Sequence, residues 1–455
     1  MSEIEELLAA TRAHALAYIE GLAERDVSVP IDRETMIKAL GPRLNDEPLD
    51  PREVIDQLVD AVDPGLVATT GGRFFGFVIG GVLPAALAAD WLTSTWDQNP
   101  GFHVLSPAAA LAEETVAGWL LELFGLPDTA SVGFTTGAQM ANNAGLAAAR
   151  HHVLANAGWD VEGDGLMGAP PLTVLVGDQR HVTVDRALRL LGLGANTTVK
   201  VATDDQGAMD ASALASELKN IDGPTIVCAQ AGNVNSGAFD PFRAIAEAAH
   251  ENDAWVHVDG AFGLWAAASP QLRHLTDGVE LCDSWGVDGH KWLNVPYDSA
   301  FIMCAHPESH RAAMTMQAAY LVRGSDDTRD GSDWTPESSR RARVFATWAA
   351  LRSLGRHGVA ELIDRCCEHA RTFAVKLGQH PDVEILNDVV LNQVLVRFGD
   401  DERTKAVAET VQKRGGAWFG HTSWDGKVAL RISVSDHATT ADDVDRAVAE
   451  IEAAL

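Results

Sequence analysis

TIVCAQAGNVNSGAFDPFRAIAEAAHENDAWVHVDG, residues 225–260, sets two short β-branched apolar runs on either side of a helical stretch. The runs, TIVCAQ (225–230) and AWVHVDG (254–260), are apolar almost throughout rather than alternating. Runs of that kind belong in a sheet covered on both faces, and an intervening helix is the connection that parallel strands need. The unit recurs along the chain. Further runs are TVLVGD (173–178), TTVKVAT (197–203) and SAFIMCA (299–305). Helical spacing marks 84–97, 107–124, 139–157, 183–192, 211–219 and 241–252. The pattern predicts an α/β fold built on a large, mostly parallel sheet.

Upstream, Ile4, Leu7, Leu8, Ala15, Ile19 and Leu22 fall at helical spacing, and 32–62 repeats the pattern with prolines at its breaks. These stripes lack partners of their own, so residues 1–70 are read as an N-terminal helical segment that packs on a second subunit. The large domain is read as 71–345. It contains LVRGSDDTRDGSDWTPESS (321–339), polar and without periodicity, which suits a mobile active-site loop and a linker equally. After one long helix at 341–378, the strands VEILN, NQVLVRFG and KVALRISVS alternate with helices at 404–414 and 440–454. Residues 346–455 are therefore read as a smaller α+β domain.

Composition bounds the function. Of 455 residues 46% are hydrophobic and 22% charged, which is enough apolar material for a packed core. Acids outnumber bases 64 to 35, a net charge of −29. That surface repels phosphate backbones and anionic lipid, so nucleic acid and membrane are not expected partners, and a small molecule is. Five cysteines form no CxxC pair, and the acidic N-terminus has no basic, signal-like region. Both features predict a cytoplasmic protein.

Four short segments could carry chemistry. In LCDSWGVDGHKWLNVPYDS (281–299), Lys291 sits between His290 and Trp292, where a lysine loses its proton more easily and becomes a candidate for Schiff-base chemistry. The plain alternative is a surface lysine whose stem covers Trp292. HVDGAFG (257–263) ends a strand with Asp259, at the edge where α/β sheets bind ligands, and Ala261 leaves room for a flat molecule. An aspartate capping the next helix is the competing reading. FTTGAQMANNAGL (134–146) turns from a strand into a helix whose free N–H groups, behind Gly137 and Ala138, form a phosphate-sized anion site or an ordinary cap. GDQRHVTVDRA (177–187) puts His181 at a strand-to-helix turn, able to stack on a ring, transfer protons or simply be solvated. Taken together, an anion site, a stacking histidine, a buried acid and a lysine suit a phosphorylated, aldehyde-bearing pyridine.

Those segments, in that order, resemble the pyridoxal-phosphate-dependent group II amino-acid decarboxylases, with the aspartate aminotransferase fold (fold type I). The resemblance extends through RFFGFVIGGVLPAALAADWL (73–92), QNPG (98–101), SPAAALAEETVAGWLLELFGLP (106–127), GNVNSGAFDP (232–241), ESSRRARVFATWAALRSLG (337–355) and LRISVSDHATTADDVDRAV (430–448). It implies pyridoxal 5'-phosphate as cofactor, Lys291 as the lysine forming its aldimine, Asp259 on the pyridine nitrogen, and His181 and Ala261 on the two ring faces. Gly137, Ala138, Gln139, Ser284 and His290 are then expected at or near the phosphate, with Asn233 near the phenolic oxygen. It further implies a homodimer with a shared active site. Phe75, Phe77, Trp96 and His103 fall in stretches that line the family's substrate pocket, which suggests an aromatic or bulky apolar L-amino acid, converted to CO2 and a primary amine.

The family reprotonates its product from a tyrosine on the mobile loop. No tyrosine lies between Leu321 and Trp334, and counting back from Arg340 and Arg341 puts Gly331 at its expected position. Tyr320 and His181 are possible substitutes. The departure keeps two alternatives open, an aldehyde-forming decarboxylation-deamination and a carbon-carbon lyase acting on a β-hydroxy amino acid.

Overall fold

A computed structural model describes residues 2–316, 318 and 328–455. The large sheet comprises β1 (Ser131–Thr135), β2 (Thr173–Gly177), β3 (Val199–Val201), β4 (Thr225–Gln230), β5 (Trp255–Asp259), β6 (Ser284–Asp288) and β7 (Ala300–Cys304). Their order is β1-β7-β6-β5-β4-β2-β3. Only β7 runs against its neighbours β1 and β6; every other pairing is parallel. Every residue of β1, β5, β6 and β7 is buried, which is why those segments read as unbroken apolar runs. The helices Pro84–Trp96, Pro107–Phe124, Ala138–Asn156, Val182–Leu190, Ala211–Leu218 and Phe242–His250 stand within two residues of their expected ends.

The second sheet, β8 (Val383–Ile385), β9 (Gln393–Phe398), β10 (Gly420–Trp424) and β11 (Lys427–Ser433), is antiparallel in the order β10-β11-β9-β8. Asp425 and Gly426, both at positive φ, close the β10–β11 hairpin, as an Asp-Gly pair does in a two-residue turn. The expected long helix is present as Val344–Leu377, but Gly355 (φ 59°) breaks it into two. Fold type I is thus the architecture. No helix among the described residues is long and apolar enough to cross a membrane.

The N-terminal helices Glu3–Gly21 and Arg33–Leu40 bury no residue, and Ile4, Leu8 and Ile19 are exposed. Trp91, Leu92 and Trp96 on Pro84–Trp96 are exposed as well. Isolated apolar residues on a surface are ordinary, but these lie on neighbouring turns of two helices.

Candidate active site

Parallel strands deliver their C-terminal ends to one edge, and four groups meet there: Asp259 ends β5, Asp288 ends β6, His181 follows β2, and the helix Ala138–Asn156 begins after β1. Asp259 is buried and accepts from Ala261 N at 3.2 Å and from the Thr183 hydroxyl at 3.3 Å. His181 stands just before Val182–Leu190, with Nδ1 2.7 Å from Thr183 Oγ1 and 3.3 Å from Thr183 N. Burial lowers the proton affinity of His181 while Asp259 partly restores it, and Lys291 and Arg431 lower it further. The ring is accordingly neutral near pH 7, the form that stacks without importing a charge.

Lys291 Nζ lies 2.9 Å from Asp288 Oδ2. The other oxygen of Asp288 accepts from Ala138 N at 2.6 Å and faces His290 Nε2 at 3.3 Å. Ser299 N donates to His290 Nδ1, so in the neutral ring the proton sits on Nε2, toward Asp288. Asp288 was not among the expected site residues, although it ends its strand just as Asp259 does, and that position was the available signal. The Lys291 turn is held by Asn294, which accepts from Gly81 N and His437 N and donates to the carbonyls of Trp292 and Ser435. One side chain thereby ties the lysine turn to the segment after residue 80 and to the small sheet's domain. A Cβ on Gly80 would lie 1.7 Å from the Lys291 carbonyl oxygen, so only glycine permits that approach.

Several expected residues are placed elsewhere. Ser284 begins β6, four residues before the ligand edge, and its hydroxyl is committed to Trp255 Nε1 at 2.9 Å and His257 Nδ1 at 2.8 Å. It is a core residue and not a phosphate contact. The Gln139 side-chain amide donates to the Thr183 carbonyl at 3.2 Å. Asn233 spends its amide on the Gln179 carbonyl and its oxygen on Asn235 N and Ser236 N, so it caps a turn. Phe75 is fully buried against Phe373 and Phe419 and is core, because its side chain faces inward where Phe77 faces out. Phe77, exposed, stacks on Trp418, and Trp96 meets Phe345 edge-on. His103 N donates to Asp330 Oδ1 at 2.8 Å, while its buried Nδ1 has no hydrogen-bond partner among the described residues. Arg431 of β11, near His181, donates to the Val234 carbonyl at 3.0 Å. Tyr320 lies outside the described residues, as does 321–327 of the predicted loop.

Gly331 cannot stand in for a loop tyrosine. It opens the buried 3-10 turn Gly331–Asp333, and a Cβ there would lie 2.3 Å from Arg340 Nη2 and 2.4 Å from the Pro100 carbonyl oxygen. Arg340 grips Glu113 through both nitrogens, at 2.5 and 2.9 Å, in an enclosed ion pair. No side chain can be added beside it without displacing a buried charge.

These residues fit a phosphorylated pyridine on their own chemistry. The helix Ala138–Asn156 has no side-chain cap, and a carboxylate oxygen already occupies its first N–H, as an anion there should. A Cβ on Gly137 would meet only His290 and Asp288, at 3.4 and 3.7 Å, so the approach to that helix is open. A buried acid, a neutral imidazole and an amine share the same edge. Fold and site together define a fold type I protein built for pyridoxal phosphate.

The chain belongs to the pyridoxal-dependent decarboxylase family, whose conserved-domain model matches residues 34–398. Its cofactor is pyridoxal 5'-phosphate and its reaction class that of a carboxy-lyase. It is 27% identical over 453 residues to an aromatic-L-amino-acid decarboxylase of Bacillus atrophaeus, covering 96% of this chain and 92% of that one. It is 26% identical over 419 residues to a phenylacetaldehyde synthase of Arabidopsis thaliana, covering 86% and 84%. The crystal structure of Oryza sativa TDC with PLP and tryptamine superposes with a TM-score of 0.93 at 24% identity, covering 99% of this chain and 97% of that one.

Proposed function

We propose that the protein decarboxylates an aromatic L-amino acid to the primary amine, with Lys291, Asp259 and His181 as its working residues. The observation that carries this reading is the convergence of those three side chains, from separate strands, at one sheet edge beside an uncapped helix start. Pyridoxal phosphate, when bound, supplies an electron sink for the charge left on Cα. Lys291 supplies the amine that holds the cofactor, and Asp288 Oδ2, 2.9 Å away, is the base nearest its proton. Asp259 holds a proton on the ring nitrogen, since a buried carboxylate is tolerable only with a charged or hydrogen-bonding partner. His181 packs one ring face and Ala261 the other, excluding water. Gly137 and Gln139, through their backbones, hold the phosphate, beside Ala138 N and His290 Nε2, which face Asp288 Oδ1.

The aromatic side chain is supported by the names of the relatives and by the exposed rings of Phe77 and Trp96. The aldehyde alternative rests on the absence of a tyrosine between Leu321 and Trp334, and the identity of the product separates it from amine formation. Tyr320 and His181 stay as the candidate proton donors to Cα. The test is CO2 release from a panel of L-amino acids by the loaded enzyme. Aromatic substrates are expected to exceed aspartate and glutamate at least about a hundredfold in kcat/KM, the scale of pocket discrimination. Preference for an acidic substrate, or aldehyde with ammonia as the main product, would refute the assignment.

The functional unit is proposed to be a homodimer with a shared site. Uncovered apolar residues on Glu3–Gly21 (Ile4, Leu8, Ile19) and on Pro84–Trp96 (Trp91, Leu92, Trp96) support it. Light scattering should give twice the 48.5 kDa chain mass; a monomer at micromolar concentration would contradict it.

A further inference from the structure

Behind Asp259, a chain of polar side chains, buried except for the half-buried Thr183, crosses the core. It begins at Trp255, whose indole N–H can only donate and reaches Ser284 Oγ at 2.9 Å. The Ser284 hydroxyl donates to His257 Nδ1 at 2.8 Å, so His257 carries its proton on Nε2 and donates to Asn142 Oδ1 at 3.2 Å. The Asn142 amide nitrogen faces Thr183 Oγ1 at 3.5 Å, the longest step, and Thr183 Oγ1 is 3.3 Å from Asp259 Oδ2. Reversing the polarity would leave the Ser284 proton without an acceptor among the hydrogen bonds of the described residues. It would also turn the Thr183 proton away from the carboxylate.

Two further features favour this direction. Burial pushes the His257 imidazole down to about 4, so it stays neutral with one donor and one acceptor nitrogen. Two glycines keep the passage open: a Cβ on Gly145 would lie 2.7 Å from His257 Cε1, and one on Gly286 would lie 2.5 Å from Asn142 Oδ1. At the output, the Thr183 hydroxyl has one proton and two lone pairs for three partners, Asn142, His181 Nδ1 and Asp259. Spending the proton on the charged acceptor leaves the lone pairs for the Asn142 amide and for an N–H at His181 Nδ1. Thr183 N also faces that nitrogen, but at 3.3 Å against 2.7 Å for the hydroxyl.

We propose that Trp255, Ser284, His257, Asn142 and Thr183 form a one-way hydrogen-bond relay that ends on Asp259 and fixes the orientation in which it pairs with a protonated ring nitrogen. The inference rests on the placement of Asp259 proposed above. Thr183 and the residues behind it are positioning residues and need not touch substrate.

The test compares pyridoxal phosphate with an analogue carrying CH in place of the ring nitrogen. Each is titrated into the full-length apoprotein, and its dissociation constant is read from tryptophan fluorescence. Wild type should prefer pyridoxal phosphate by about tenfold or more, the scale of a hydrogen bond to a charged group. Thr183→Val should lose most of that ratio, and Thr183→Ser, which keeps the hydroxyl, should retain it. Asn142→Leu, one step further back, should narrow the ratio by about threefold and serves if the valine variant does not fold. A merely structural role weakens both ligands alike and leaves the ratio unchanged, and an unchanged ratio in the folded variants would overturn the relay. A wild type that binds the two ligands equally would instead overturn the placement of Asp259.

Discussion

Lys291→Ala is expected to leave a folded chain with no measurable turnover and no aldimine absorbance beyond that of free pyridoxal phosphate. The fold should survive because the partners of Asp288 other than Lys291, namely Ala138 N and His290, remain in place. The turn itself is secured by Asn294 rather than by the lysine side chain. What disappears is the only amine that the described residues bring to Asp288. Circular dichroism checks the fold and amine release checks the turnover. Activity within tenfold of wild type would remove Lys291 from its proposed role.

The second large effect is expected at Asp259. Asp259→Ala should lower kcat on the order of a thousandfold or more, the scale seen when a preorganised electrostatic partner of developing charge is deleted. Asp259→Asn removes the charge at nearly constant shape; its one amide oxygen can keep the bond from Ala261 N or the bond from Thr183, but not both, because these donors face different oxygens. A comparable loss in the asparagine variant would assign the effect to the negative charge. A loss below tenfold in both would mean that the ring nitrogen needs no counter-charge here. Either variant should leave KM within a few-fold, because the lost interaction strengthens in the transition state.

Much of this site was legible in the sequence because its chemistry sits at strand ends. The runs at 225–230 and 254–260 predict buried parallel strands, and with them the edge on which Asp259 and Lys291 belong. The same rule applies to Asp288, which ends β6 as Asp259 ends β5. Ser284 shows the opposite limit. A serine in the right strand is at the wrong end of it, and only the register of His257 with Ser284 reveals that. The relay was not legible. Asn142 and His257 are 115 positions apart, and their contact depends on how the helix Ala138–Asn156 crosses β5 and β6. Phe75 and Phe77 differ by two residues, yet one is core and the other exposed, because Phe77 lies at positive φ where the extended chain turns. A count along the loop does not show how enclosed Gly331 is. Its closed surroundings come from Glu113 and Arg340, 227 residues apart in the chain.

The most direct measurement is borohydride reduction of the loaded enzyme, followed by proteolysis and peptide mass mapping. One pyridoxyl group on the peptide bearing Lys291, and on none of the other lysine-containing peptides, is the predicted result. The label on another lysine, or no label on a protein that still releases CO2, would contradict the site described here.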